Sequence, residues 1–331
     1  MRSTRRDALK GAVAGVALFA IGRPASAQTT QLRFAHPHPA SDSFQTAALQ
    51  FAEQVKSQTN GEFEVKVFPN GALGSDPQTI NAVRGGQIDF CLTGNPFFTG
   101  LAPALNVLDL PFLFKDRDHV AKVIDGPVGD SLRAELESSN LKAISTLDIG
   151  WRNLTNSRRP VATPDDIKGL KIRTTPNPAH LRAFQLLGAV PTPMAFTELF
   201  TALETGTVDG QENPVTLILN SRFYEVQNHL SLTRHAFTSA PLCMNNTKFA
   251  AFPKEVQDLF LKLGKEMAIS QRQMNVDAEK NNLDQLKEHG IQVVDEPDHA
   301  AFAALVAEPV EQEFIAQHGS DILDKIKAAG E

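Results

Sequence analysis

The stretch that decides the fold is Leu170-Lys171-Ile172-Arg173-Thr174, followed by residues 178–187 and then Gly188-Ala189-Val190-Pro191-Thr192. The first five residues read as a strand. Pro178 opens a helix where its missing N–H costs nothing, Gly188 stops that helix, and 190–192 is a second short strand. Working outward, Thr163-Pro164 caps a short helix just before this unit. Residues 197–205 form another helix after it, Gly206 ends that helix, and Val208 begins a further strand. Strands alternating with helices over short connections specify an α/β chain.

The pattern also occurs earlier. Leu32-Arg33-Phe34-Ala35 reads as a first strand, and Asp42 with Gln45 forms the signature of a capping box. Phe44, Ala47, Ala48, Phe51, Ala52 and Val55 follow at helical spacing, with Gly61 as the stop. Phe63, Val65 and Val67 alternate with Glu62, Glu64 and Lys66, which predicts a half-buried strand. Asp76-Pro77 opens a helix, and 88–93 is a third strand. Two β-α-β units of this kind, without sequence repeat between them, predict two Rossmann-like lobes.

A long helical stretch follows at about 253–289, whose Val256, Leu259, Phe260, Leu263, Met267 and Ile269 form an apolar face, continued more weakly by Met274, Ala278, Leu283 and Leu286. At 1.5 Å per residue it reaches about 50 Å as one helix, long enough to cross both lobes. Two helices meeting at a kink fit the sequence equally. A strand at 291–294 and helices at 299–318 and 320–329 complete the reading. The expected lobes are 28–149 plus 239–278 and 150–238 plus 279–331, with crossings near Gly150, near Ser239 and within the long helix.

The first 27 residues read as an export address. Arg2, Arg5, Arg6 and Lys10 make a cationic start, and 11–22 is an uncharged run too short to span a bilayer, which needs roughly 20 residues. Ala25-Ser26-Ala27 is a small-residue cleavage site. Ser3 to Lys10 resembles a twin-arginine signal, with Ala8 where Phe is commoner. The expected location is the periplasm, after cleavage behind Ala27. Cleavage removes five positive residues and one negative, so the net charge of −6 over 331 residues becomes −10. With no basic excess, nucleic acid is not an expected partner. Hydrophobic residues at 42% and charged residues at 21% are ordinary globular values that exclude a mostly disordered chain. Phe 21 against Trp 1 and Tyr 1 disfavours a site of stacked Trp and Tyr. Cys91 and Cys243 both lie in strand-like apolar runs, so a disulfide and two buried thiols both stand open.

Enzyme signatures are missing. There is no G-x-S-x-G, H-E-x-x-H, Walker A loop, C-x-x-C, or G-x-G-x-x-G after a strand. His36-Pro37-His38 lacks the neighbouring Cys or carboxylates of a metal site, and no cofactor is expected. The tripeptide does follow the first strand, where an α/β sheet lines its crevice, which makes His36 a candidate ligand contact. Asp165-Asp166 fits a helix N-terminus better than an acid/base dyad. Arg158-Arg159 reads as a solvated turn.

Gly150-Trp151-Arg152, Thr155-Asn156-Ser157, the run from Asp166 to Arg173, Pro191-Thr192-Pro193-Met194, Phe196-Thr197-Glu198-Leu199, the run from Ala202 to Pro214, and Phe223-Tyr224-Glu225-Val226 appear in this order. Together they resemble the dicarboxylate-type solute-binding proteins of TRAP (tripartite ATP-independent periplasmic) transporters. Phe68-Pro69-Asn70-Gly71-Ala72-Leu73-Gly74, Gly86-Gln87-Ile88-Asp89 and Leu108-Asp109-Leu110-Pro111-Phe112-Leu113-Phe114 extend the resemblance through the first half. It implies two lobes of the class II periplasmic-binding type closing on an organic acid whose carboxylate is gripped by Arg173. That role suits a guanidinium fork at the carboxyl end of a strand. It further implies Arg152 as a second cationic contact, Asn213 as a polar contact and Phe196 as an aromatic closing over the ligand. Thr93 and Asn95, after the third strand, are candidates from the first lobe. Some acidic-sugar binders carry a glutamate beside this position, where this chain has Gly94.

The expected function is that of a non-enzymatic, monomeric extracytoplasmic receptor that passes a small organic acid to the membrane subunits of an ion-coupled permease. The alternatives are a ligand sensor for a receptor kinase and an extracytoplasmic enzyme acting on an organic acid. A C4-dicarboxylate, a keto or hydroxy acid, an aromatic acid and a sugar acid all remain open as ligands.

Overall fold

The computed structural model describes residues 29–331, so the export signal and its cleavage site lie outside the described residues. In chain order the strands are β1 Thr30–Ala35, β2 Phe63–Phe68, β3 Phe90–Leu92, β4 Leu141–Asn156, β5 Lys171–Thr174, β6 Val190–Pro193, β7 Gly210–Asn213, β8 His229–Asn245 and β9 Gln292–Val294. The helices are α1 Ser43–Gln58, α2 Asp76–Arg84, α3 Arg117–Ile124, α4 Pro127–Glu135, α5 Pro164–Ile167, α6 Pro178–Leu186, α7 Leu199–Glu204, α8 Val215–Asn220, α9 Asn246–Ala251, α10 Lys254–Glu288, α11 His299–His318 and α12 Asp321–Ala329. The α/β alternation anticipated from the sequence is present on both sides of the long pair β4 and β8.

These elements form one continuous sheet in the order β2-β1-β3-β8-β4-β7-β5-β6, with β9 added to β8. Parallel β1, β2 and β3 stand at one end and parallel β5, β6 and β7 at the other. Antiparallel β4 and β8 run through the middle from Leu141 opposite Asn245 to Asn156 opposite His229. Their register slips at three places, one of them between Asp148 and Gly150. Gly150 sits there with φ +124°, a backbone that side chains with a Cβ rarely adopt. Apolar side chains are buried in four clusters. Those around Phe34 and Val83 pack the β1–β3 end, and that around Ile218 packs the β7 side. The fourth joins Val107, Phe114 and Val123 to Ile172 and Phe184, and to Phe302 and Phe314 of α11.

Four local readings are decided by the structure. Asp42 caps α1, its carboxylate accepting from Phe44 N at 3.1 Å, but Gln45 turns to His36 and does not complete a capping box. The long helix is a single 35-residue α10, with no interruption. Ile269, assigned to its apolar face, is half exposed, while polar Gln271 and Asn275 are buried. Cys91 and Cys243 are register partners across β3 and β8 and are both free, buried thiols.

Candidate functional site

The carboxyl end of β5 carries Arg173. Its guanidinium is 1% exposed and donates from Nε at 3.1 Å and Nη2 at 2.7 Å to the carbonyl of Met194. No carboxylate stands within ion-pair distance of it among the described residues. Burial lowers its pKa to about 10, a direction opposed by the charges of Glu212, Asp76 and Glu198. This buried cation is thus paired with a single backbone oxygen among the described residues, an arrangement that leaves its charge uncompensated.

Arg152, on β4, is equally buried but electrically matched. Its Nε and Nη2 both donate to the Glu212 carboxylate, the latter to Oε1 at 2.9 Å, and Nη2 also reaches Asn213 Oδ1 at 3.2 Å. Burial alone would raise the Glu212 pKa. The Arg152 charge and the bonds from His235 and Arg152 overcome it and hold Glu212 well below the usual carboxylate range. Arg152 Nη1 donates to Thr238 Oγ1 at 3.3 Å, and Thr238 in turn donates to Asp109 Oδ1 at 3.2 Å. Burial raises Asp109 to about 7 despite bonds from Asn95 and Thr238.

These residues surround a cavity between the β1–β3 and β5–β7 ends of the sheet, lined by His38, Asp76, Gly94, Phe97, Ile149, Arg152, Arg173, Thr175, Phe196, Asn213, Leu217 and Thr238. The structure therefore brings four of the sequence candidates together: Arg173, Arg152, Asn213 and Phe196. It places the other three elsewhere. His36 is buried behind the wall, bonded through Nε2 to Gln45 at 2.9 Å and pushed down to about 4 by burial. Thr93 donates its hydroxyl to Asp76. Asn95 donates to Leu105 O at 2.9 Å and Asp109 Oδ2 at 2.6 Å. From the same first-strand loop it is His38, two residues after His36, that reaches the cavity. Asp76, whose Oδ2 accepts from Phe196 N at 3.0 Å, was read only as a helix start. Its position at the first turn of α2, beside the loops at the strand ends, was the available signal.

Two roomier clefts exist. The larger, of about 740 Å³, lies beside Trp151, Arg234 and Val276, where Arg117 is paired with Asp148 and Glu279. The other lies between α4 and α10, with Arg133 paired to Asp130. Neither holds a buried cation lacking an acidic partner, so chemistry favours the smaller cavity despite its size. Among the described residues there is no group of three or more His, Cys, Asp or Glu placed to hold a metal ion.

Comparison with known proteins identifies the family of the chain. Residues 34–317 match the family model described as bacterial extracellular solute-binding protein, family 7. The chain is 39% identical over 316 residues to the 2,3-diketo-L-gulonate-binding periplasmic protein YiaO of Escherichia coli, covering 95% of each chain. It superposes with a TM-score of 0.88 on a TRAP periplasmic solute-binding protein from Polaromonas bound to D-erythronate, at 35% identity and with coverage of 90% and 98%. It does so equally well, at 34% identity and with coverage of 91% and 98%, on the sugar acid binding protein of Advenella mimigardefordensis in complex with galactonate.

Proposed function

Because the chain belongs to the bacterial extracellular solute-binding proteins of family 7, the receptors of TRAP transporters, we propose that it captures a carboxylate-bearing small molecule with Arg173 as the clamp and delivers it to an ion-coupled membrane permease. The observation that carries this reading is the Arg173 guanidinium, buried at the end of β5 without an acidic partner among the described residues. A carboxylate completes it with paired, charge-assisted bonds. Arg152, Asn213 and Phe196 line the same cavity and contact the ligand. His36, Thr93 and Asn95 act behind the wall by fixing Gln45, Asp76 and Asp109.

The free space is about 20 Å³, room for a water molecule but not for an organic acid. Entry therefore requires the two ends of the sheet to separate, and capture requires them to close again. The moving bodies are 28–149 plus 239–278 and 150–238 plus 279–331, turning about β4, β8 and α10. A ligand drives closure only by binding the closed form better. The receptors of this family are periplasmic, and among the described residues no helix is long and apolar enough to cross a membrane. Export through the N-terminal signal, with cleavage after Ala27, places the mature chain there.

A thermal-shift panel of aldonates, keto acids, C4-dicarboxylates and aromatic acids, followed by calorimetry on the best binder, tests the reading. Arg173→Ala is expected to abolish binding while the protein stays folded. Unchanged affinity in that variant, or a panel answered by neutral sugars and amides alone, overturns it.

A further inference from the structure

We propose that the larger cleft, beside Trp151 and Arg234, is an effector site for an organic anion with an apolar body, and that its occupancy alters the grip of the Arg173 cavity. The binding half stands by itself, and the coupling half rests on the receptor reading above.

The cleft and the cavity share β4 as a wall. Trp151 and Asn153 line the cleft, and Arg152 between them lines the cavity, as alternate strand residues point to opposite faces. At about 740 Å³ the cleft has the size of a small-molecule site. Phe112, Phe114, Trp151, Val276 and Leu283 give it an apolar surface, and Val276 is 41% exposed there. Trp151 is fixed edge-on against Phe237, with ring centroids 5.3 Å apart. Around this surface Lys115, Arg117, Arg234 and Lys280 stand against Asp116 and Glu279, in a chain of net charge −6. Arg117 is taken by Asp148 and Glu279, and Asp116 accepts from the His119 amide at 2.8 Å. Arg234 and Lys280 are exposed and have no acidic partner among the described residues. An apolar floor with two uncommitted cations at its edge suits an amphipathic anion.

The backbone around the cleft is unusual. Phe112 at φ +56° and Arg234 at φ +42° both line it, and Phe112 N donates to His235 O at 2.9 Å. Left-handed backbone is costly for such side chains and persists only where the surroundings impose it. The cause is visible in the ladder. Arg152 pairs with Ala236 and Leu154 with Ser231, so residues 232–235 of β8 bulge opposite Asn153 alone. Asn153 Oδ1 accepts from Arg234 N at 3.2 Å and holds the bulge. The residue after Arg234 reaches the other site: His235 Nε2 lies 3.3 Å from Glu212 Oε2, and Glu212 is the carboxylate on Arg152. An anion that draws Arg234 over the cleft therefore moves a segment tied to the counter-charge of a cavity arginine.

Trp151 is the only tryptophan of the chain, so intrinsic tryptophan emission reports this cleft. The test is an emission titration with octanoate, and with 1-octanol as its uncharged counterpart, on the wild type, Arg234→Glu, Lys280→Glu and Arg173→Ala. Octanoate is expected to shift the emission saturably in the wild type and equally in Arg173→Ala. Its affinity should fall at least about tenfold in Arg234→Glu, and octanol should bind more weakly by a similar factor. If Arg234→Glu fails to fold, as judged by its melting curve, Lys280→Glu on the exposed side of α10 carries the same comparison. Calorimetry of the best acid from the thermal-shift panel, with and without saturating octanoate, should show its affinity changed about fivefold or more. No saturable shift, a shift lost in Arg173→Ala, or one untouched by both charge reversals overturns the site. An unchanged acid affinity under octanoate overturns the coupling. No acid binding to the wild type overturns the receptor reading and the coupling with it, while the emission titration still decides the cleft.

Discussion

Arg152 and Arg173 line one cavity and are equally buried, yet only Arg152 has a carboxylate against it. Their substitutions should therefore fail differently. Arg173→Lys keeps the charge but loses the planar fork, and binding of the best organic acid is expected to weaken by at least about tenfold in calorimetry with the melting temperature unchanged. Glu212→Gln removes the counter-charge of Arg152 and the acceptor of His235, and should cost about 3–5 kcal/mol in urea unfolding. His36 and His180 make a separate prediction. Burial lowers them to about 4 and about 3, so both are neutral in the fold and protonate when it opens. The unfolded state binds more protons below the ordinary value near 6.5, so their contribution to stability is present above that pH and is lost as pH falls toward 4. Asp109, raised to about 7, acts in the opposite sense by favouring the fold toward acid. His180→Gln should flatten the fall in melting temperature between pH 6.5 and 4, and a slope identical to wild type would contradict the assignment. The family resemblance singled out Arg173, and its place at a strand end visible in the residue pattern agreed with it. The sequence could not separate His36 from His38, because that choice depends on how the chain turns at Pro37 and on partners such as Gln45 and Asp42.

At the scale of elements, short strands and helices of both ends were legible because each buries one face and so leaves a period in the sequence. β4 and β8 were legible only in part, as crossings near Gly150 and Ser239 and as a strand-like run around Cys243, and not at their full length. Almost every residue of both is buried, so alternation is absent, and β8 contains Pro241 besides. Their middle is held by α10. Gln271 accepts from Asp148 N at 3.0 Å and donates to Asp148 O at 2.8 Å, which satisfies backbone groups that the ladder leaves at the register slip. This also explains why a glutamine is buried on a face where apolar periodicity predicted otherwise. Gln271→Leu should cost about 1–3 kcal/mol in urea unfolding by leaving those groups unpaired. Gly150→Ala should cost a similar amount, because φ +124° is strained for any residue with a Cβ and Pro214 lies 3.4 Å from the added atom.

Over the whole molecule, the family was legible in a series of short motifs, whereas the ligand was not. The cavity wall opposite Arg173 comes from side chains on loops after β1 and β3 and at the start of α2, brought together only when the sheet is assembled. Residues 150–225 carry Arg152 and Arg173, while residues 36–97 supply the opposite wall of the cavity. Ligand binding is expected to raise the melting temperature with the logarithm of ligand concentration once above Kd, and Arg173→Ala should remove that rise. A compact scattering profile with ligand and a broader one without it would accompany closure. Equal profiles in both conditions would argue against domain motion.

Cys91 and Cys243 face each other across two strands at the centre of one core, with Cys91 pushed up to about 12 by burial and Cys243 also raised. Thiols so protonated and so enclosed are chemically silent in the folded chain. They consequently make a built-in clock: an alkylating reagent added in excess can mark them only after β3 parts from β8, so its rate of incorporation reads the opening of that core directly, with no engineered label.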